Sequence, residues 1–184
     1  MPSGKTHDQV TWWLTPLTGV LGWMLFYRLD LALMLMLSFL FAGLMFSGDL
    51  DVKSVQYKRW GFLRWIWLPY QKWVPHRSPL SHGPVLGTLT RLVYFSVCLI
   101  LFALLLDAVL NRLGQGQLLS QSQSAGQQLL KWIYLQPEAI GVMLAGLWLG
   151  ALSHTWTDEL VSAWKRWWRK RAKPRSKRNR AIKK

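Results

Sequence analysis

The sequence predicts an all-α, multi-pass membrane protein of about four helices, with a cytoplasmic-side interfacial segment and a basic C-terminal tail. Half of the 184 residues are apolar, yet the net charge is +15. This combination is rare in soluble proteins. The two properties are segregated, because the apolar residues form long runs and twelve of the 23 Lys and Arg residues lie within Lys165–Lys184. The only cysteine, Cys98, excludes an internal disulfide and a Cys-rich zinc site.

Four apolar segments are candidate membrane helices. They are Trp12–Tyr27, Leu31–Ser47, Leu92–Leu106 and Ala139–Thr157. A spanning helix needs about 20 apolar residues, with ~17 as a lower limit, so the first two segments are short. A hairpin that dips partway into the bilayer is the alternative for that pair. We expect full spans, because Leu31–Phe46 contains no charged residue.

The basic residues near the segment ends predict the orientation. With four spans, the N-terminus, the Gly48–Gly83 connection and the C-terminal tail share one side, which receives most of the Lys and Arg residues. Such a bias marks the cytoplasmic side. We therefore predict an integral protein of an inner, plasma or thylakoid membrane, with both termini in the cytoplasm.

Two aromatic stretches are expected at the cytoplasmic leaflet. Tyr57–Trp73 is too polar to span and rich in Trp and Tyr, which favour the headgroup layer. A packed soluble subdomain is the alternative. Trp164, Trp167 and Trp168 have the i, i+3, i+4 spacing of one helical face, surrounded by Lys and Arg. This pattern is typical of a helix on an anionic membrane surface.

The ten residues Pro75–Pro84 contain two of the four histidines, His76 and His82, and three prolines. The prolines exclude a regular helix and predict a shaped loop. Two imidazoles and the guanidinium of Arg77 in such a loop are typical of a metal or phosphate site.

The predicted topology brings all four histidines and most of the acidic residues to one membrane face. The i, i+4 spacing of His154 and Asp158 also places that pair on one face of a helix. Imidazole and carboxylate without thiolate suit Zn²⁺, Mn²⁺ or Fe²⁺, and their number suffices for one or two ions. The residues on this face are His7, Asp8, Asp49, Asp51, His76, His82, His154, Asp158 and Glu159.

Each residue taken alone has an ordinary alternative. Asp8 is well placed to cap the first helix, since Asp is favourable at a helix start. His154 alone suits a hydrogen-bonded helix histidine, and Arg77 suits a contact with a lipid phosphate. As a set, these side chains favour the ligand interpretation. The sequence contains no G-x-S-x-G, Walker A or dinucleotide-binding motif.

Several motifs carry a family resemblance that covers the chain to about Glu159. S-G-K-T-H-D, S-G-D-L-D-V-K-S, P-H-R-S-P-L-S-H-G-P and G-L-W-L-G-A-L-S-H-T-W-T-D resemble an uncharacterised family of metal-binding membrane proteins common in cyanobacteria. More distantly, the sequence is similar to the LexA-regulated, membrane-bound, metal-dependent hydrolases of the YdjM type. One departure is Gly48, where proline is expected. The resemblance implies that the metal ligands are His7, Asp49, Asp51, His76, His82, His154 and Asp158.

These observations lead to one expected function and one alternative. We expect a metal-dependent hydrolase that acts on a phosphoester, such as a lipid headgroup, at the cytoplasmic membrane face. Asp8 would be its general base, with an unliganded Asp49 or Asp51 as alternatives, and Arg77 would hold phosphate. The alternative is a non-catalytic membrane metal-binding or scaffold protein. A transporter is less favoured, because ionisable residues are expected inside the spans of transporters.

Two domains are expected. Residues 1–160 form the membrane-embedded metal-binding domain, and residues 161–184 form a basic, Trp-containing surface helix and a disordered tail. The expected partners of the tail are anionic lipid headgroups. No specific nucleic acid is expected, because no fold for base reading accompanies the basic run.

Overall fold

A computed structural model of the protein describes residues 4–76 and 78–171, and within them the regular structure is entirely helical. Arg77 and the predicted disordered tail lie outside these residues. Two 3₁₀ turns, Gly48–Asp51 and Gly61–Ile66, separate the earlier helices. The α-helices in the described part are α1 (Gly4–Phe26), α2 (Leu29–Met45), α3 (Val55–Arg59), α4 (Trp67–Trp73), α5 (Pro79–His82), α6 (Leu86–Arg112), α7 (Gly116–Leu135) and α8 (Pro137–Arg171).

The four predicted apolar segments lie in α1, α2, α6 and α8. Three segments of the described chain are long and apolar enough to cross a membrane, namely Leu29–Asp51, Leu86–Arg112 and Pro137–Arg169. The helix α1 is not among them, because even its uncharged part contains Gln9 and several Thr, Gly and Pro residues that lower its hydropathy. It nevertheless packs along α2, to which the short connection at Tyr27 and Arg28 joins it.

Small residues let α2 and α8 approach backbone to backbone. Gly146 and Gly150 form a G-x-x-x-G pair, the spacing that brings helices together in membranes. A Cβ at Gly150 would lie 2.4 Å from the carbonyl oxygen of Phe39, and one at Gly146 would lie 2.0 Å from Ser38 Oγ. His154 and Asp158 continue the same i, i+4 series, so this contact also fixes where the two side chains lie.

The stretch Tyr57–Trp73 forms α3, a 3₁₀ turn and α4, and its two faces differ. Trp67 and Tyr70 are fully buried against Phe46, with ring centroids of Trp67 and Phe46 5.7 Å apart. Burial raises the pKa of the Tyr70 hydroxyl, so this side chain stays neutral. The inner face of this stretch thus agrees with the alternative of a packed subdomain. The outer face keeps Trp65 and Trp73 exposed, as a membrane interface requires.

Arg28 lies at the end of the helix bundle that is opposite the histidines, and it links the helices there. Its guanidinium donates to Asp30 in α2 at 2.6 Å and to Glu138 at the start of α8 at 2.8 Å. These contacts join the α1–α2 connection to the first turn of α8. The described helices therefore have a polar end at Arg28 and a second polar end where the histidines lie.

The polar stretch Gln115–Gln128 supplies most of α7. Ser122 of α7 donates to Asp107 of α6 at 2.8 Å. No residue in the apolar window of α6 is buried, and none of the described residues of α7 is. A long apolar helix without protein cover is suited to lipid rather than to water.

The helix α8 runs without a break across the expected domain boundary at residue 160. Near its end, the rings of Trp164, Trp167 and Trp168 contact one another, as the i, i+3, i+4 spacing predicts. The guanidinium of Arg171 lies 3.8 Å from the centroid of a Trp167 ring, within range of a cation–π interaction. The Trp cluster is thus an extension of α8 rather than a separate helix.

Candidate metal centre

The polar end opposite Arg28 gathers side chains from four separate parts of the sequence. The 3₁₀ turn that follows α2, the loop around α5, the start of α1 and the second half of α8 meet there. The predicted ligands that these elements contribute are His7, Asp49, Asp51, His76, His82, His154 and Asp158.

The proline-rich loop contains one turn of helix, which the sequence analysis excluded. Pro79 is the first residue of α5, where a missing N–H costs nothing and the fixed φ suits the helix. The turn ends at His82 and is followed by Gly83. The prediction of a wholly non-helical loop was therefore wrong. Whether a proline prevents a helix depends on its position in the helix more than on the number of prolines in the segment.

Four side chains form a first group. Asp49, His82, His154 and Asp158 each offer one ligand atom, and these atoms all lie within 4.8 Å of one another. Asp49 Oδ1 lies 3.5 Å from His82 Nε2, and Asp49 Oδ2 lies 3.5 Å from His154 Nε2. His154 Nε2 is also 3.7 Å from Asp158 Oδ2.

These separations are too long for hydrogen bonds and suit a shared ion. Donors that bind a tetrahedral ion at about 2.0–2.2 Å lie roughly 3.3–3.6 Å from one another. Nine buried side-chain polar atoms of the described residues lack a hydrogen-bond partner, and five belong to predicted ligands. Since buried polar atoms are nearly always paired, this concentration fits a cation site. The five atoms are His7 Nδ1, Asp49 Oδ1, Asp51 Oδ2, His82 Nε2 and His154 Nε2.

Ser81 determines which nitrogen of His82 can bind an ion. Its Oγ lies 3.3 Å from the Pro75 carbonyl and 3.2 Å from the Ser78 carbonyl, which can only accept. When the Ser81 hydrogen is donated to one of these carbonyls, Ser81 Oγ can accept from His82 Nδ1, 2.9 Å away. In this arrangement His82 carries its proton on Nδ1 and offers the lone pair of Nε2 to the first group.

A second group consists of Asp51, His76 and His82. Asp51 is fully buried and its Oδ1 lies 2.9 Å from His76 Nδ1, whereas its Oδ2 lies 3.7 Å from His82 Nδ1. A neutral imidazole has one lone pair, so His82 serves one group at a time. With His82 in the first group, Asp51 and His76 remain as a pair.

His7 adjoins the first group without joining it. Its ring stacks on His154 with centroids 4.0 Å apart, and its Nε2 lies 3.4 Å from Asp158 Oδ1. A cavity of about 20 Å³ lies between His7, Asp49, Gln56 and His154. Such a volume suits one water molecule or ion.

Gln56, which the sequence analysis missed, orients His154. Its Nε2 donates to the Gly43 carbonyl at 3.1 Å and lies 3.3 Å from His154 Nδ1. In this arrangement Nδ1 accepts and the proton sits on Nε2. An ion on Nε2 requires the other tautomer, with the proton on Nδ1. The Gln56 amide can accept from Nδ1 only by turning over, which gives up its hydrogen bond to the Gly43 carbonyl.

Asp8, the predicted general base, pairs with Arg59 instead of joining either group. Arg59 donates to Asp8 Oδ1 at 2.9 Å and, through its other terminal nitrogen, to Asp8 Oδ2. Arg59 also donates to the Leu44 carbonyl near the end of α2. The pair thus ties the start of α1 to the end of α2, next to His7.

Arg91 and Gly48 shape the site from behind. Arg91 is buried in α6 and donates to the Ser81 carbonyl at 2.6 Å, which holds the turn that ends in His82. A Cβ at Gly48 would lie 3.1 Å from His82 Nε2, so glycine at this position leaves room for the imidazole.

An open cleft of about 1110 Å³ leads to the first group. His82 and Asp158 lie in its wall, together with Ser162 and the cation Arg166. The site is therefore reachable by a molecule larger than an ion.

Loss of the Ser81 hydroxyl is expected to weaken metal binding without unfolding the protein. In Ser81→Ala, His82 loses the acceptor for its Nδ1–H, and loss of such a contact typically costs 10–100-fold in metal affinity. The measurement is a competition titration with a metal-sensitive dye. Ser122→Ala removes an equivalent hydroxyl on α7 and should leave the affinity unchanged. Equal affinities of the two variants would contradict this role of Ser81.

The comparisons with known proteins agree with this site. The chain is 37% identical over 59 residues to a protein of Aquifex aeolicus (strain VF5) described as uncharacterized. That stretch covers 32% of this chain and 41% of the relative, so the match spans less than half the length of either. No solved structure matches the chain. A family described as "Uncharacterized metal-binding protein (DUF2227)" matches residues 2–168, nearly the whole sequence, and the chain belongs to that family.

Proposed function

We propose that the protein is a metal-dependent hydrolase that cleaves a phosphoester at the cytoplasmic face of a membrane. The observation that supports this best is the convergence of Asp49, His82, His154 and Asp158 beside an open cleft. Nitrogen and carboxylate donors suit Zn²⁺, Mn²⁺ or Fe²⁺.

The metal ions and the side chains around them would have separate roles in this reaction. One or two divalent ions would supply a nucleophilic water at neutral pH and a Lewis acid for the phosphoryl oxygens. Arg166 lines the cleft and would attract an anionic group, as the predicted phosphate ligand Arg77 would. Asp8 would serve as general base only after leaving Arg59. Of the alternatives, Asp51 is the better placed, because it already contacts His76.

The test is hydrolysis of soluble phosphoesters by metal-loaded protein in detergent. Wild type should hydrolyse bis-p-nitrophenyl phosphate or p-nitrophenyl phosphate, and Asp158→Asn should lose most of the rate. Glu138→Gln neutralises a carboxylate at the other end of α8 and should keep it. Metal-loaded wild type that hydrolyses neither a monoester nor a diester would count against the proposal.

The second candidate is a non-catalytic metal-binding or scaffold protein. It is favoured by the first group having four protein ligands, since structural sites are closed and catalytic ones keep a position open. X-ray absorption on the metal-loaded protein distinguishes the two. Four protein donors without a solvent oxygen would support the scaffold, and an exchangeable solvent ligand would support the hydrolase.

The membrane arrangement belongs to the same proposal. With α1, α2, α6 and α8 crossing the bilayer, the histidine end and both termini would be cytoplasmic. Residues 1–160 would be the embedded metal-binding domain, and residues 161–184 would contact anionic headgroups. Lys53 and Lys72, which would lie on the cytoplasmic side, should resist an impermeant amine reagent in sealed right-side-out vesicles, whereas Lys131 should react.

A further inference from the structure

We propose that the substrate is a membrane phospholipid, one of whose acyl chains lies in the apolar groove between α1 and α8. This inference rests on the proposed function, because the lipid headgroup would occupy the cleft beside the metal ligands. It adds a binding site for the hydrocarbon part of the substrate.

The groove has a volume of about 340 Å³ and apolar walls. Leucines of both helices line it, and its three hydroxyls are already used within the helices. Thr18 donates to the Thr15 carbonyl at 2.7 Å, Ser153 to Gly150 at 2.8 Å and Thr157 to Ser153 at 2.7 Å. With no hydroxyl hydrogen left to offer, these walls suit a hydrocarbon chain.

The length and direction of the groove fit one leaflet of a bilayer. On α1 it extends from Val10 to Leu21, a rise of eleven steps or roughly 16 Å at 1.5 Å per residue. That is about half of the ~30 Å hydrocarbon core. Val10 lies one turn from His7, whereas Leu21 lies toward the Arg28 end. The groove therefore begins at the level of the metal centre and runs toward the middle of the membrane.

The groove adjoins the polar cleft, because Trp156 and Leu160 line both. On the cleft side of these two side chains lie Asp158, Ser162 and Arg166. An amphiphile that crosses Trp156 would place its chain between α1 and α8 and its phosphate near Arg166. The cleft also carries the carboxylates of Asp158 and Glu159, so bound metal ions as well as Arg166 would have to attract the phosphate. A phospholipid fits this pairing of an apolar groove with a polar cleft, because a soluble phosphoester has no hydrocarbon chain to fill the groove.

The exposed helix α6 supplies an internal comparison. Most of its apolar residues are exposed, yet neither cavity includes any of them. Nonspecific lipid would label α6 and the groove alike. A chain held by its headgroup at the cleft would label the groove preferentially.

The experiment uses phosphatidic acid with a photoactivatable diazirine in one acyl chain, added to the full-length, metal-loaded protein in phosphatidylcholine nanodiscs. Adducts are located by mass spectrometry. We expect them at 10–21 and 149–160, several-fold above those on α6. Leu17→Trp, which fills the groove, and Arg166→Gln, which removes the cation, should each reduce this ratio. Leu25→Trp adds the same bulk on α1 outside the groove and should not.

Equal labelling of α6 and the groove, or a ratio unchanged by Leu17→Trp, would overturn the inference. Hydrolysis is followed separately, with bis-p-nitrophenyl phosphate and with phosphatidic acid. Leu17→Trp should lower kcat/KM for the lipid and not for the soluble ester. Labelling without hydrolysis of either substrate would refute the proposed hydrolase function and the role of the lipid as its substrate, and would leave only the lipid-binding groove. Soluble-ester hydrolysis with no groove labelling would refute the lipid site alone.

Discussion

The His82→Ala and His154→Ala variants are each expected to lose bound metal while keeping their helices. The two residues lie 72 positions apart in the sequence, yet both face Asp49 at 3.5 Å. Because loss of a residue that merely orients a ligand costs 10–100-fold in metal affinity, loss of a ligand should cost at least about 100-fold. The measurement is the metal content of untagged protein purified in detergent, with circular dichroism as the check on folding.

Gln128→Ala on exposed α7 serves as the control and should retain the wild-type metal content. The metal content of His76→Ala tests how many ions the protein holds. If the protein holds two ions, this variant should lose one, and if it holds one, it should lose none. Wild type without stoichiometric metal, or metal unaffected by both His82→Ala and His154→Ala, would break the proposed centre.

Gly150→Ala is expected to be a strongly destabilising single-methyl change in the α2–α8 interface. Its Cβ would lie 2.4 Å from the Phe39 carbonyl oxygen and 2.8 Å from the Ala42 Cβ, so one helix must move away from the other. Overpacking of this kind typically costs about 1–3 kcal/mol. The movement would also separate His154 from Asp49. We expect a lower thermal midpoint and weaker metal binding together.

Gly141→Ala on the same helix is the matched control. A Cβ at Gly141 meets no atom within 4 Å, so the substitution should be neutral or stabilising by up to ~1 kcal/mol from helix propensity. A Gly150→Ala protein as stable as Gly141→Ala would show that the close approach of α2 and α8 does not hold the bundle together.

Local spacing in the sequence was enough to predict some parts of the site. His154 and Asp158 were expected on one helical face, and the structure places their ligand atoms 3.7 Å apart. Segment order then predicted that all four histidines lie at one end, where the structure has them. The G-x-x-x-G pair at Gly146 and Gly150 was visible in the sequence and would have predicted the α2–α8 contact.

Other residues were not predictable, because their roles depend on tertiary contacts. Ser81 and Gln56 are ordinary polar residues until the fold places them beside His82 and His154. By its position in the sequence, Arg91 suits a charge at the end of a span. Nothing near it in the sequence reveals that its guanidinium donates to the carbonyl of Ser81. Trp67 suits a membrane interface and an aromatic core equally well by composition, and only its neighbours Phe46 and Phe95 decide between the two.

The distance along the chain between Asp49 and His154 gives the centre a role in folding as well as in chemistry. Viewed as a polymer cross-link, an ion held by both would close a loop of 105 residues (154 minus 49). A metal ion, unlike a disulfide, is released when the chain unfolds, so it would stabilise the protein by the free energy of binding to the folded state alone. With a single cysteine, the chain has no internal disulfide. Chelation would then lower the free energy of unfolding by removing that binding free energy from the folded state.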